Sequence, residues 1–264
     1  MGIIILLLSK ITQGVNINYD WQDLSIKIYS YTETLSPDSI YKMVEDLSST
    51  IYYDESHTLS EYLTKHPYKR MRFENIIKYP KVPVKKLYSN GIVENKYLLK
   101  FTGNLMNILY PDTIKKVPLL TQYACPTCKR TWPEGQEVPS GVQLIPLYEE
   151  GISYTGIVID ARGIGLNPAL FPKIIDEDGH EIYGVNIIEK RKVIESGVAI
   201  YTNQVSKLNR LKRIEVNPYR VVALRADGDN RTNIVIPKSE AQKLHSSSTN
   251  IKLLKEGKVV IIID

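Results

Sequence analysis

Six prolines constrain this chain more than any other feature. They stand at 111, 118, 126, 133, 139 and 146. Proline has no amide hydrogen and a fixed φ, so at that spacing no long helix and no central strand fits between Pro111 and Pro146. Regular structure must therefore be built on either side. Residues 112–146 become a Pro-rich linker between an N-terminal unit over 15–111 and a C-terminal unit over 147–264.

On the N-terminal side, Val15, Ile17, Tyr19 and Trp21 alternate, and Leu24, Ile26 and Ile28 follow. Period two predicts a strand or strand pair. Ser36-Pro37-Asp38 is a helix start, with a cap, a proline at the first helical position and an acid in the first turn. Ile40, Met43, Val44, Leu47 and Ile51 then recur at helical spacing, which predicts an amphipathic helix over 37–52. Thr58 and Glu61 form a capping box for a second, short helix expected to stop before Pro67. Val82, Val84 and Leu87 lead into Ser89-Asn90-Gly91, and Ile92 to Phe101 runs back, a hairpin signature. Asn104 to Tyr110 has room for one or two helical turns before Pro111.

The C-terminal side starts a fresh series. A strand is expected over Tyr154–Ala161, and two short ones around the turn Asp176-Glu177-Asp178-Gly179. A helix around 186–195 should end at Gly197, followed by a strand at Val198–Thr202 and helical character over 203–211. Strands at Val221–Ala226 and Asn233–Pro237 flank Asp227-Gly228-Asp229. A short helix opens at Ser239-Glu240, and Val259–Ile263 closes the series. The alternation predicts an α+β fold, two small mixed sheets backed by helices.

Hydrophobic residues make up 43% and charged residues 24% of the 264, which excludes disorder, collagen and a coiled-coil rod. No apolar run approaches the ~20 residues that span a bilayer, so no transmembrane span is expected. The net charge of +5 is scattered and permits an acidic partner without requiring one. The basic run Lys69, Arg70 and Arg72 reads as a solvated face, and no nucleic acid is expected. Tyrosine is over-represented, 18 against 3 Phe, which suits wet or intermolecular surfaces. The opening run Ile3 to Leu8 resembles the apolar core of a secretory signal, so residues 1–14 are expected to direct export. No Cys follows it to carry a lipid.

Both cysteines lie in one motif, Cys125-Pro126-Thr127-Cys128. The pair reads as a local disulfide or as half of a metal site. Further ligands would come from His57, His66, His180 or His245, or from a second subunit. The identity of any metal is unknown. The second candidate is Asp160-Ala161-Arg162-Gly163-Ile164-Gly165, where an acid and a base leave an apolar strand just before two glycines. A glycine turn after a strand can cradle phosphate, but the third glycine of the dinucleotide fingerprint is missing. Asp160, Arg162, Gly163 and Gly165 are therefore expected to form a structural or partner-binding turn. Asp176-Glu177-Asp178-Gly179 lacks calcium-loop spacing and reads as a β-turn. No catalytic residue and no cofactor are implied.

The stretch YTGIVIDARGIGLNPALFPKIIDEDGHEIYG (154–184) belongs to a wider pattern. It includes Trp132-Pro133-Glu134-Gly135 after the cysteines, YRVVALRA (219–226), NIVIPKSEA (233–241) and VVIIID (259–264). This pattern resembles secreted bacterial proteins similar to the twenty-kilodalton outer-membrane lipoprotein family, which includes the flagellar outer-membrane protein P. The resemblance implies an envelope location, periplasmic or at the outer-membrane periphery, and supplies no catalytic residue. The expected function is a non-enzymatic structural or binding protein of the cell envelope, with flagellar association within its scope. Its partner would be an envelope protein or a further copy of the chain. The alternative is a small-ligand or metal-dependent enzyme using the Asp160/Arg162 turn or the CxxC motif.

Overall fold

Period-two alternation buries Ile17, Tyr19, Ile26 and Ile28, and each such burial stabilises by ~1.5–3 kcal/mol. In the computed structural model these residues sit in β2 (Val15–Asp20) and β3 (Ser25–Ser30). With β1 (Lys10–Thr12), β4 (Val84–Leu87) and β5 (Val93–Lys100) they form a sheet of order β1-β2-β3-β5-β4. Every pairing in it is antiparallel. The structure describes residues 10–12, 14–31, 34–79, 82–120, 123–133, 136–146 and 154–264. The apolar run of the expected signal segment lies outside them.

Four helices accompany this sheet: α1 (Pro37–Ser48), α2 (Leu59–Lys65), α3 (Pro67–Lys78) and α4 (Asn104–Leu109). The Ser36 side chain caps α1, and the Thr58/Glu61 box caps α2. Pro67 does not simply end a helix, as the sequence suggested. It occupies the first position of α3, where its missing amide costs nothing. Phe73 of α3 meets Phe101, and Phe101 meets Tyr19 of β2 edge to face at 5.1 Å.

The linker contributes the ribbon β6 (Tyr123–Ala124) and β7 (Ile145–Pro146). Two backbone amides fasten it to the C-terminal half: Lys115 donates to Asn186 Oδ1 and Leu120 to His245 Nδ1, both at 2.9 Å. The remaining strands are β8 (Gly156–Asp160), β9 (Ile174–Ile175), β10 (Glu181–Tyr183), β11 (Ile200–Thr202), β12 (Pro218–Val222), β13 (Arg225–Asp227), β14 (Asn233–Val235) and β15 (Val259–Ile262). They divide between two sheets. One is wholly parallel, in the order β11-β15-β8-β12, and the other mixed, in the order β10-β9-β14-β13. Parallel strands need cover on both faces, and Ile157, Val158 and Ile159 are all buried. Helices α5 (Lys190–Ser196), α6 (Lys238–Ser246) and α7 (Ser248–Lys255) and a 3₁₀ helix at Val205–Arg210 complete the half. The class is α+β, as the alternation implied. Among the described residues no helix is long and apolar enough to cross a membrane.

The hydrophobic core runs through both halves without a break. Trp21 meets Tyr201 edge to face at 5.4 Å, and Tyr53 lies 4.8 Å from Phe171. Backbone bonds reinforce the seam: Leu170 N–H donates to Tyr52 O at 3.0 Å and Phe171 N–H to Tyr53 O at 2.9 Å.

Candidate functional site

In parallel sheets, ligands gather beyond the carboxyl ends of the strands. Here β8 ends at Asp160, β11 at Thr202 and β15 at Ile262, two residues before Asp264. The Asp160 carboxylate accepts Arg162 Nε at 2.8 Å and Nη2 at 2.5 Å, a bidentate pair. The guanidinium holds the Asp160 carboxyl below the usual carboxylate range. The Arg162 side chain is half exposed, so water screens the pair.

The following turn is occupied by its own chain. Gly163 and Gly165 take positive φ, which their missing Cβ permits. The Gly163 amide, the donor a phosphate would use, points at the Asp264 carboxylate, at 3.1 and 3.0 Å from its two oxygens. Arg231 donates to the carbonyls of Ile164 at 2.6 Å and Gly165 at 3.1 Å. A carboxylate thus stands where an anionic ligand would sit. The neighbouring cavity, lined by Asp20, Trp21, Thr202, Gln204 and Asp264, holds about 90 Å³. That is room for a few waters, not for the ~300 Å³ or more of a substrate pocket. The structure therefore joins all four predicted turn residues and closes the turn upon itself.

Asp176 lies in the β9–β10 hairpin. Its buried carboxylate accepts the amides of Asp178 at 3.0 Å and His180 at 2.8 Å, and His180 Nδ1 lies 3.0 Å away. Burial pushes the carboxyl up, but the bonds from His180 and the amides outweigh it and hold the group below its ordinary range. Asp176, Asp178 and His180 could approach one cation, but the carboxylate's bonds already brace the turn.

The two cysteines stand on the tip of the linker ribbon. Cys125 N–H donates to Arg130 O at 2.9 Å, Lys129 N–H to Cys125 O at 3.0 Å and Trp132 N–H to Tyr123 O at 2.7 Å. Ala124 bridges antiparallel to Thr131, and Lys129 adopts φ +59° to make the turn. Both thiols are free, Cys128 exposed and Cys125 partly so. Amides of Cys128 and Thr127 and the Cys128 thiol donate to the Cys125 sulfur and lower its pKa.

A cleft of about 370 Å³ lies along the seam between the halves. Its wall is an aromatic ladder. Phe171, Tyr53, Tyr62 and His66 follow one another with ring centroids 4.8, 3.6 and 4.3 Å apart. Lys173 donates to Glu55 at 2.8 Å, and Asn233 donates to the same carboxylate. Burial pushes the Glu181 carboxyl above its ordinary range. Sequence reasoning missed this cleft because residues 53–66 and 171–181 have no local pattern in common. The many tyrosines were the one available signal.

Residues 156–264, less than half of the chain, match the family model of the second domain of Treponema pallidum Tp0624. Nothing in that match links the chain to the twenty-kilodalton outer-membrane lipoprotein family expected from the sequence. No curated protein matches the chain.

Proposed function

We propose that this chain is a non-enzymatic protein of the cell envelope that binds or assembles with protein partners. The observation that carries the reading is the self-filled turn at Asp160–Gly165, whose charges and backbone groups are engaged by Arg162, Asp264 and Arg231. A nucleotide or catalytic turn needs those groups available to a ligand. A second support is the edge strand β4, where Val84 and Leu87 are 69% and 74% exposed, with Val82 beside them at 93%. Among the described residues no strand pairs with the outer edge of β4, and exposed apolar side chains beside Lys85 and Lys86 suit a specific protein contact. The envelope location rests on the apolar start and on the family resemblance, and the flagellar association on the resemblance alone.

The test is crosslinking in intact cells, fractionation, and affinity purification of the chain from the envelope. Recovery of a defined envelope partner or of crosslinked copies is the expected result. Recovery from the cytosol with an intact Met1 overturns the location. A small-molecule turnover abolished by Asp160→Asn overturns the non-enzymatic reading in favour of the enzyme alternative.

A further inference from the structure

The CxxC tip carries chemistry that the proposed function does not use. Both free thiols stand on one tight turn, closed by Lys129 N–H on the Cys125 carbonyl at 3.0 Å and Cys125 N–H on the Arg130 carbonyl at 2.9 Å. Two cysteines separated by two residues on one tight turn are the arrangement of a metal-binding knuckle. A closed, structural zinc site takes four ligands in tetrahedral array. This chain offers two of them. Its sequence contains no third cysteine, and each of its four histidines has at least one ring nitrogen bonded elsewhere. His57 pairs with Asp54 and Lys65, His66 with the Tyr62 carbonyl and His180 with Asp176. His245 is buried with both ring nitrogens bonded. A second pair of thiolates can come only from another molecule.

We propose that Cys125 and Cys128 of two copies of this chain jointly hold one zinc-like divalent cation, which fastens the copies into a two-fold dimer. A two-fold axis through the metal brings identical knuckles together, so each copy gives and receives the same contact. The surroundings suit this occupant. Tyr123 and Val138, at 46% and 44%, are large hydrophobics exposed on the same linker segment. They supply apolar surface for a second copy to cover. Four thiolates around a divalent cation leave a net charge of −2, and Lys129 and Arg130, next to Cys128, offset it in each copy. Thiol protons leave to solvent as the metal binds, so the dimer is favoured at neutral to alkaline pH and weakened by acid.

The experiment uses the full chain, reduced and metal-free, titrated with Zn²⁺ and in parallel with Co²⁺. Mass is followed by light scattering and coordination by the visible spectrum. The expected result is one metal ion per two chains, a doubling of mass at that ratio, and the intense bands of tetrahedral cobalt thiolate. Cys125→Ser and Cys128→Ser should each abolish all three while leaving the metal-free melting temperature unchanged, because the tip contributes little to the core. One metal per chain without a change of mass overturns the proposal. So does Cys128→Ser binding metal as the parent does. Protein isolated from its native cells with a Cys125–Cys128 disulfide and no metal overturns it as well.

Discussion

Leu120 donates its amide hydrogen to Nδ1 of His245 at 2.9 Å, joining a proline-rich segment to a helix 125 residues further along the chain. The other ring nitrogen, Nε2, lies 2.9 Å from the Ile182 carbonyl. Those partners fix one neutral tautomer, with the proton on Nε2. Burial lowers the pKa of His245. The folded protein therefore binds fewer protons here than the unfolded chain. This contribution is present above the unfolded value of about 6.5 and is lost as pH falls below it.

Melting temperature should therefore drop on acidification from pH 7 to 5. His245→Ala should flatten that slope and lower stability by ~2–4 kcal/mol, since it leaves an amide and a carbonyl unpaired beside a new cavity. Denaturant melts at the two pH values check both effects. An unchanged slope in the variant would show that other groups set it.

Arg213 is the counterpart beside the parallel sheet, in the segment that leads into β12. Its guanidinium donates to Gly257 O at 2.7 Å, Ser196 O at 2.6 Å, Gly197 O at 2.9 Å and Val198 O at 2.6 Å. Three of these carbonyls lie where α5 gives way to β11. The group is half-buried, with no carboxylate bonded to it among the described residues, and desolvation lowers its pKa. Arg213→Ala should cost ~3 kcal/mol or more, because several acceptors lose their donor at once. Arg213→Lys should recover only part of this, since a single ammonium cannot span the same fork. Equilibrium unfolding of both variants is the measurement.

Gly156 opens β8 with no room for a side chain. A Cβ there would lie 2.6 Å from the Ile214 Cα, a backbone atom that cannot swing away. Gly156→Ala should destabilise by ~1–3 kcal/mol or push β8 and β12 apart. Expression yield and the melting curve report the first, and hydrogen exchange across β8 the second.

Asp160→Asn should be nearly silent, costing ~0–1 kcal/mol, because the Arg162 pair is half in water. Arg162 lowers the folded pKa of Asp160. The small stabilisation it represents is thus present above the unfolded value of about 3.9 and disappears as pH falls through the folded one. Thermal melting with a parallel ligand screen checks this. Loss of small-molecule or metal binding without loss of stability would count against the structural reading of the turn.

The sequence by itself determined the local pieces of this protein. Alternation at Val15–Ile28 set the first hairpin, Ser36-Pro37 and the Thr58/Glu61 box started α1 and α2, and Asn90-Gly91 turned the chain between β4 and β5. These are short-range effects, in which a side chain caps an amide a few residues away or a missing Cβ admits a turn. Asp160 and Arg162, two residues apart, were legible as a pair for the same reason. Pro67 misled because proline stops one helix and starts another by the same loss of an amide. Tertiary structure alone decided that the C-terminal strands divide into a parallel and a mixed sheet. It also placed Asp264 on the Gly163 amide and Arg231 on the next two carbonyls, filling a turn that looked open. It joined Phe171 to Tyr53 and Leu120 to His245 across more than a hundred residues. Such contacts carry no sequence period. They exist because buried polar groups must find partners and apolar faces must find cover wherever the folded chain brings them together.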